Sequence, residues 1–155
     1  MARPRTVSVT RVINAPAENI FAIIDDPARH PEIDGSGTVK ATRAGAQHLK
    51  LGDRFRMDMR LGIPYRISSR VVEYEANRLL AWAHFGGHRW RYDLQPVDGG
   101  TRVTETFDWS TAKIPPAIEW MGYPRRHVAS MEQTLENLAA AAEATRGGST
   151  GAEPG

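Results

Sequence analysis

The chain has 155 residues, with 20 Lys or Arg against 18 Asp or Glu, a formal net charge of +2 and no cysteine. A chain of this length makes one domain that buries about 68–70% of its unfolded surface, so a core needs neither disulfide nor metal. The missing thiols exclude cysteine nucleophiles, cysteine zinc sites and iron–sulfur clusters, and so small a net charge does not steer the chain toward a polyanion.

The N-terminal MARPRTVSVTRV lacks the apolar run of a signal peptide, and no segment approaches membrane-spanning length, so a soluble cytoplasmic protein is expected. One domain over 1–146 is expected, followed by a disordered tail over 147–155, which is small and polar. Thr6 to Ile13 alternates and is β-branched, which predicts a strand. In NAPAENIFAIIDDP, Pro16 and Glu18 suit a helix start, Ile20, Phe21 and Ile24 share a face, and Asp25–Pro27 stops the helix. ARHPEI predicts a second short helical turn. From Thr38 the period becomes two, which predicts strands over Thr38–Arg43, Arg54–Leu61, Tyr65–Tyr74, Leu79–Phe85, His88–Gln95 and Arg102–Trp109, joined by short Gly- or Pro-bearing turns. After KIPP the pattern turns helical, with Val128, Met131, Leu135, Leu138 and Ala142 forming a stripe down to about Thr145. The class is therefore α+β. An antiparallel sheet with one apolar face needs a cover, and the terminal helix is the element long enough to supply it.

Turn geometry then assigns faces. A two-residue turn at Gly86–Gly87 sets Ala83 opposite Trp90, Ala81 opposite Tyr92 and Leu79 opposite Leu94, and sends His84, Trp82 and Leu80 to the other face with Arg89, Arg91 and Asp93. A turn at Asp98–Gly99 sets Tyr92 opposite Glu105, Trp90 opposite Phe107 and Leu94 opposite Val103. A three-residue turn at Gly62–Pro64 sets Met59 opposite Ile67 and Met57 opposite Ser69. The expected inner face carries Trp90, Tyr92, Phe107 and Trp109, continues through Phe55, Met57, Met59, Ile67 and Ser69, and meets Met131 and Leu135 of the helix. Rings and arginines lie on opposite sides, whereas a platform for nucleic-acid bases needs both on one side. A pocket for a hydrophobic small molecule is expected, and nucleic acid is not.

VINAPAENIFAIIDDPARHPEI, the GGTRVTETFDWS strand and the long terminal helix together resemble the START-like superfamily of polyketide cyclases, dehydrases and lipid-transfer proteins, from about Thr6 to Thr145. The resemblance implies a helix-grip fold, in which a curved seven-stranded sheet wraps around the C-terminal helix and encloses a cavity. It also implies a hydrophobic or aromatic ligand, polyketide- or lipid-like. Some members cyclise or dehydrate such ligands, and fold alone does not decide between the two roles.

Glu105, between Val103 and Phe107 at strand period, points inward, where burial raises a carboxyl pKa and suits it to acid/base work. The plain alternative is a structural carboxyl bonded to Tyr92. Tyr92 either donates to a ligand carbonyl or is a core tyrosine with an ordinary partner. Arg70, in ISSRVVEY, matches an arginine that the resembling cyclases use to polarise a carbonyl, yet alternation sends it outward unless a bulge intervenes. With no close histidine pair and no cysteine, neither metal nor organic cofactor is expected. Trp120 lies in IPPAIEWMGYP, an apolar Pro-rich loop that reads as a lid over the entrance or as plain packing of a helix start. Three roles follow: a carrier of the ligand, an acid/base cyclase or dehydratase using Glu105, Tyr92 and Arg70, and a co-chaperone-like interaction module using Arg89 and Arg91. The assembly expected is a monomer or homodimer.

Overall fold

Alternation of period two through the middle of the chain becomes a single antiparallel sheet in the computed structural model, which describes residues 5–37, 39–44, 48–61, 63–84, 87–112 and 123–148. Strand β1 (Thr6–Ile13) leads into α1 (Ala17–Ile24), a 3-10 turn (Pro27–Arg29) and α2 (His30–Ile33). Six strands follow, β2 (Val39–Ala44), β3 (Arg54–Leu61), β4 (Ile63–Glu75), β5 (Leu79–His84), β6 (Arg89–Val97) and β7 (Gly100–Asp108), and then α3 (Tyr123–Gly148). The strand order is β1-β7-β6-β5-β4-β3-β2, with β1 carried over to pair with β7. This is the helix-grip arrangement. α3 runs two residues into the segment expected to be a tail; residues 149–155, and Trp120 with most of the expected lid, lie outside the described residues.

The stripe on α3 behaves as its spacing predicts: Met131, Leu135, Leu138 and Ala142 are buried, with Ala139 beside them. The helix packs chiefly on β1 and also touches β7, α1 and α2. Gly35 permits the last of these contacts. A Cβ there would stand 2.2 Å from the Ser130 carbonyl oxygen and 2.6 Å from the Thr134 nitrogen. The Gly35 N–H instead donates to Thr134 Oγ1 at 2.9 Å, locking the α2–β2 connection onto the helix.

Two of the three expected registers change. β6 and β7 pair as expected, Trp90 with Phe107, Tyr92 with Glu105 and Leu94 with Val103. β3 and β4 turn more tightly than expected: Leu61 pairs with Ile63, so Met57 meets Ile67, and Phe55, not Met57, meets Ser69. That slip is two residues and leaves every face unchanged. β5 slips by one. Trp82 pairs with Trp90 and Leu80 with Tyr92, because the hairpin closes at His84 and His88, with three residues between them, and not at Phe85 and His88, with two. Gly87 ends this connection in the left-handed region, at φ 92°, as a three-residue hairpin loop requires of its last residue. The odd slip exchanges the faces of β5, turning Leu80, Trp82 and His84 inward in place of Leu79, Ala81 and Ala83.

Candidate functional site

The corrected register arranges the concave face in rows running across the strands. One row holds Tyr74, Leu80, Tyr92, Glu105 and Val9; the next holds Val71, Trp82, Trp90, Phe107 and Val7. A third holds Phe55, Ser69 and His84 with His88 beside them, and beyond it stand the Met57–Ile67 and Met59–Tyr65 pairs. The face thus grades from an aliphatic floor at Leu94–Val103 to an aromatic and imidazole end.

At the deep level Tyr92 and Glu105 are 4% and 3% exposed. The Tyr92 hydroxyl donates to Glu105 Oε1 at 3.1 Å. Burial pushes the Glu105 carboxyl up to about 8; the Tyr92 hydrogen bond pulls it back, and the charge of Asp34 adds to the rise. Burial also raises the Tyr92 hydroxyl, helped by the charge of Glu105 and the bond to it. Glu105 therefore carries its proton at neutral pH, as a neutral acid beside a neutral phenol. Glu105 Oε2 and Trp82 Nε1 are both buried without a hydrogen-bond partner. Trp82 packs on Tyr92 at 5.6 Å between ring centroids, on Phe55 at 5.6 Å and on His30 at 5.3 Å. The protein's own rings pack closely at this level.

The other end is more open. Trp90, His88, His127, Ile67 and Met59 are half-buried there, above a floor of Phe107, Ser69 and His84. Phe107 lies 4.8 Å from Trp90, 4.6 Å from His127, 5.6 Å from His88 and 5.7 Å from Trp109, centroid to centroid. His84, which the two-residue turn sends to the other face, and His88 have ring centroids 4.7 Å apart on one face. His84 Nδ1 is 2.8 Å from Ser69 Oγ, and His88 Nδ1 is buried without a partner. Burial, with a lesser contribution from neighbouring imidazoles, pushes His84 down to about 3 and His127 to about 4, and burial lowers His88 as well. The groups lining this end are thus uncharged at pH 7. Among the described residues no group of three His, Cys, Asp or Glu is set to hold a metal ion.

The expected ligand residues Phe55, Met57, Met59, Ile67, Ser69, Trp90, Tyr92, Phe107, Trp109, Met131 and Leu135 thus stand on the concave face or on the helix above it. Of the expected catalytic set, Glu105 and Tyr92 come together and Arg70 does not. Arg70 is exposed on the outer face opposite Arg54. A bulge does interrupt β4, between Val71 and Glu73, but it lies beyond Arg70 and reorients Tyr74 instead. Sequence reading missed Trp82, His84 and His127. The first two were hidden by the loop length at Gly86–Gly87. His127 was recoverable, since it stands one turn before Met131 on the helix stripe.

Three comparisons bear on this site. The family described as polyketide cyclase/dehydrase and lipid transport matches residues 4–143. The uncharacterized protein Rv0088 of Mycobacterium tuberculosis is 42% identical over 143 residues, which are 88% of this chain and 64% of that protein; the chain thus spans just under two thirds of its relative's length. Among solved structures, protein NE0264 of Nitrosomonas europaea has a TM-score of 0.72 at 14% identity, covering 95% of this chain and 99% of that one. The di-domain ARO/CYC StfQ of the steffimycin biosynthetic pathway has a TM-score of 0.73 at 15% identity, covering 92% of this chain and 52% of that one. At such identities these structures share the fold. Among the described residues no helix is long and apolar enough to cross a membrane.

Proposed function

Because the chain belongs to the polyketide cyclase/dehydrase and lipid transport family, we propose that it binds an aromatic, polyketide-like small molecule on the concave face, at the end floored by Phe107 and Ser69. The observation that carries this reading is the half-buried set of Trp90, His88, His127, Met59 and Ile67 around that floor. Rings and thioethers supply apolar area for a flat ligand, and edge-to-face contacts supply orientation. The Ser69–His84 pair and the unpartnered His88 Nδ1 supply hydrogen bonds to its oxygens. Native mass spectrometry of freshly purified protein is expected to show a bound organic species. Titration with the apolar probe N-phenylnaphthylamine is expected to quench tryptophan fluorescence saturably, and Trp90→Ala to weaken that binding by about tenfold or more. No adduct and no saturable quenching, or an unchanged Trp90→Ala affinity, overturns the reading.

Acid/base turnover of the bound ligand is the second reading, favoured by the proton that Glu105 holds at neutral pH. Glu105 would deliver that proton to a departing hydroxyl or a carbonyl oxygen, with Tyr92 holding the carboxyl in place through its 3.1 Å bond. Glu105→Gln separates the two. A carrier keeps its affinity, whereas an enzyme loses about 10²–10⁴-fold in turnover.

A further inference from the structure

The β3–β4 hairpin outgrows its neighbours. β5 begins pairing with β4 at Ser69, and β2 pairs with β3 no nearer the tip than Met59. Among the described residues, 63–68 of β4 therefore run on paired only with β3, for roughly 20 Å at strand rise. A two-stranded ribbon is marginal by itself, and this one has exposed apolar side chains near its tip: Ile63 is 75% exposed and Tyr65 40%. Among the described residues the other exposed large apolar side chains, Val12 and Leu51, stand apart on β1 and in the β2–β3 connection.

The convex face of the same hairpin is strongly cationic. Its outward positions on β3 are Arg54, Arg56, Asp58 and Arg60, and those facing them on β4 are Arg70, Ser68, Arg66 and Pro64. Five exposed arginines thus meet one aspartate, which pairs with Arg66 at 3.4 Å, on a chain whose whole formal charge is +2. Arg54 and Arg70 are directly opposite, a placement that repels unless an anion offsets it. Apolar tip and cationic flank together match one kind of surface, hydrocarbon lying beneath anionic headgroups. A nucleic acid offers nothing to Ile63, and its bases stack on rings lying among the arginines, whereas Tyr65 is on the opposite side of the ribbon.

We propose that the β3–β4 hairpin is a docking device for anionic lipid bilayers, with Ile63 and Tyr65 entering the interface and Arg60 and Arg66 taking the first headgroups, while Arg54, Arg56 and Arg70 add attraction from behind. The surface adjoins the ligand site, since Tyr65 pairs with Met59, and the proposal stands whether or not that site binds as proposed. Full-length protein is mixed with vesicles of phosphatidylcholine alone or with about 30 mol % phosphatidylglycerol, and partitioning is measured by co-sedimentation. Binding is expected to the anionic vesicles and to be lost at about 0.5 M salt. Arg60→Gln with Arg66→Gln is expected to cut partitioning roughly thirtyfold, the effect of two interfacial arginines, and Ile63→Ser to weaken it several-fold. Arg78→Gln, in the β4–β5 turn, is expected to change nothing. All these positions are exposed, and an unchanged circular dichroism melt confirms that each variant is folded. Absent or charge-independent vesicle binding overturns the proposal, as does insensitivity to both the arginine and Ile63 variants. Tighter binding to a DNA duplex at matched salt reassigns the patch to nucleic acid. A dimer that Ile63→Ser converts to monomer reassigns it to self-association.

Discussion

Glu105 sits in the interior with its proton on, and this fixes the sign of its contribution to stability. Its carboxyl titrates near 4.5 when unfolded and near 8 when folded, so between those values the folded state binds the extra proton. Whatever stability the buried acid has is complete below the lower value, falls as pH rises through the window, and stops falling above the upper one. Gln keeps the shape and cannot ionise. Glu105→Gln is therefore expected to gain on the wild type by a few kcal/mol between pH 5 and pH 8.5. Urea melts at the two pH values measure this, and a gap between the proteins that does not change with pH removes the neutral buried acid. Ser69 poses a smaller test. Its hydroxyl is the hydrogen-bond partner of His84 Nδ1 in a buried setting, so Ser69→Ala is expected to cost about 1–3 kcal/mol, a cost that Ala placed at exposed Ser8 does not share. The inward aim of Glu105 was legible in the sequence because Val103 and Phe107 bracket it at strand period. That of His84 was not, since its direction depends on a loop and not on its own strand.

Hairpin loops explain which elements the sequence placed correctly. β1 and β3 have the predicted limits, and the β6–β7 register follows from Asp98–Gly99, a dipeptide that forms the expected two-residue turn between Val97 and Gly100. The β3–β4 turn was misjudged by an even step and cost nothing in face assignment, whereas the β5–β6 turn was misjudged by an odd step and cost the whole strand. Two adjacent glycines state that a turn occurs without stating its length. The deciding contact is remote: a Cβ on Gly87 would meet the Thr111 carbonyl oxygen at 2.4 Å, and Thr111 Oγ1 donates to the Gly87 oxygen at 2.6 Å, so the segment after β7 helps hold the loop. Between elements, Gly35 is the sharper test. The atoms that its Cβ would meet are helix backbone, which cannot step aside as a flexible side chain does. Gly35→Ala is expected to cost about 1–3 kcal/mol, as an overpacked contact does, and to loosen the α2–α3 junction, measured as faster amide exchange at Gly35 and Thr134. Leu135→Ala, inside the core of the same helix, is expected to cost about 2–5 kcal/mol with no such local signature.

For the whole molecule the buried ionisable groups combine into one curve. Burial lowers four imidazoles: His84 to about 3, His127 to about 4, and His88 and His30 in the same direction. Each is neutral when folded and takes a proton near 6.5 when unfolded, so acid favours the unfolded chain and stability rises with pH up to about that value. Among the described residues two carboxyls act the other way, Glu105 and Asp25, the latter raised by burial against the pull of its His48 partner. Between pH 4.5 and 6.5 the imidazoles outnumber the carboxyls and the rising limb wins. Above 6.5 the imidazoles no longer contribute, Glu105 continues to lose stability until about 8, and His48, raised by its bond to Asp25, adds a small solvent-screened loss in the same direction. The thermal midpoint is therefore expected to peak between about pH 6 and 7 and to fall on both sides. Two substitutions separate the limbs: Glu105→Gln flattens the alkaline side, and His127→Gln lessens the acid side. Differential scanning calorimetry from pH 4.5 to 8.5 checks both. A midpoint that climbs steadily through pH 8 would mean that Glu105 ionises in the folded protein at ordinary pH, which would also remove the proton that acid catalysis on the concave face requires.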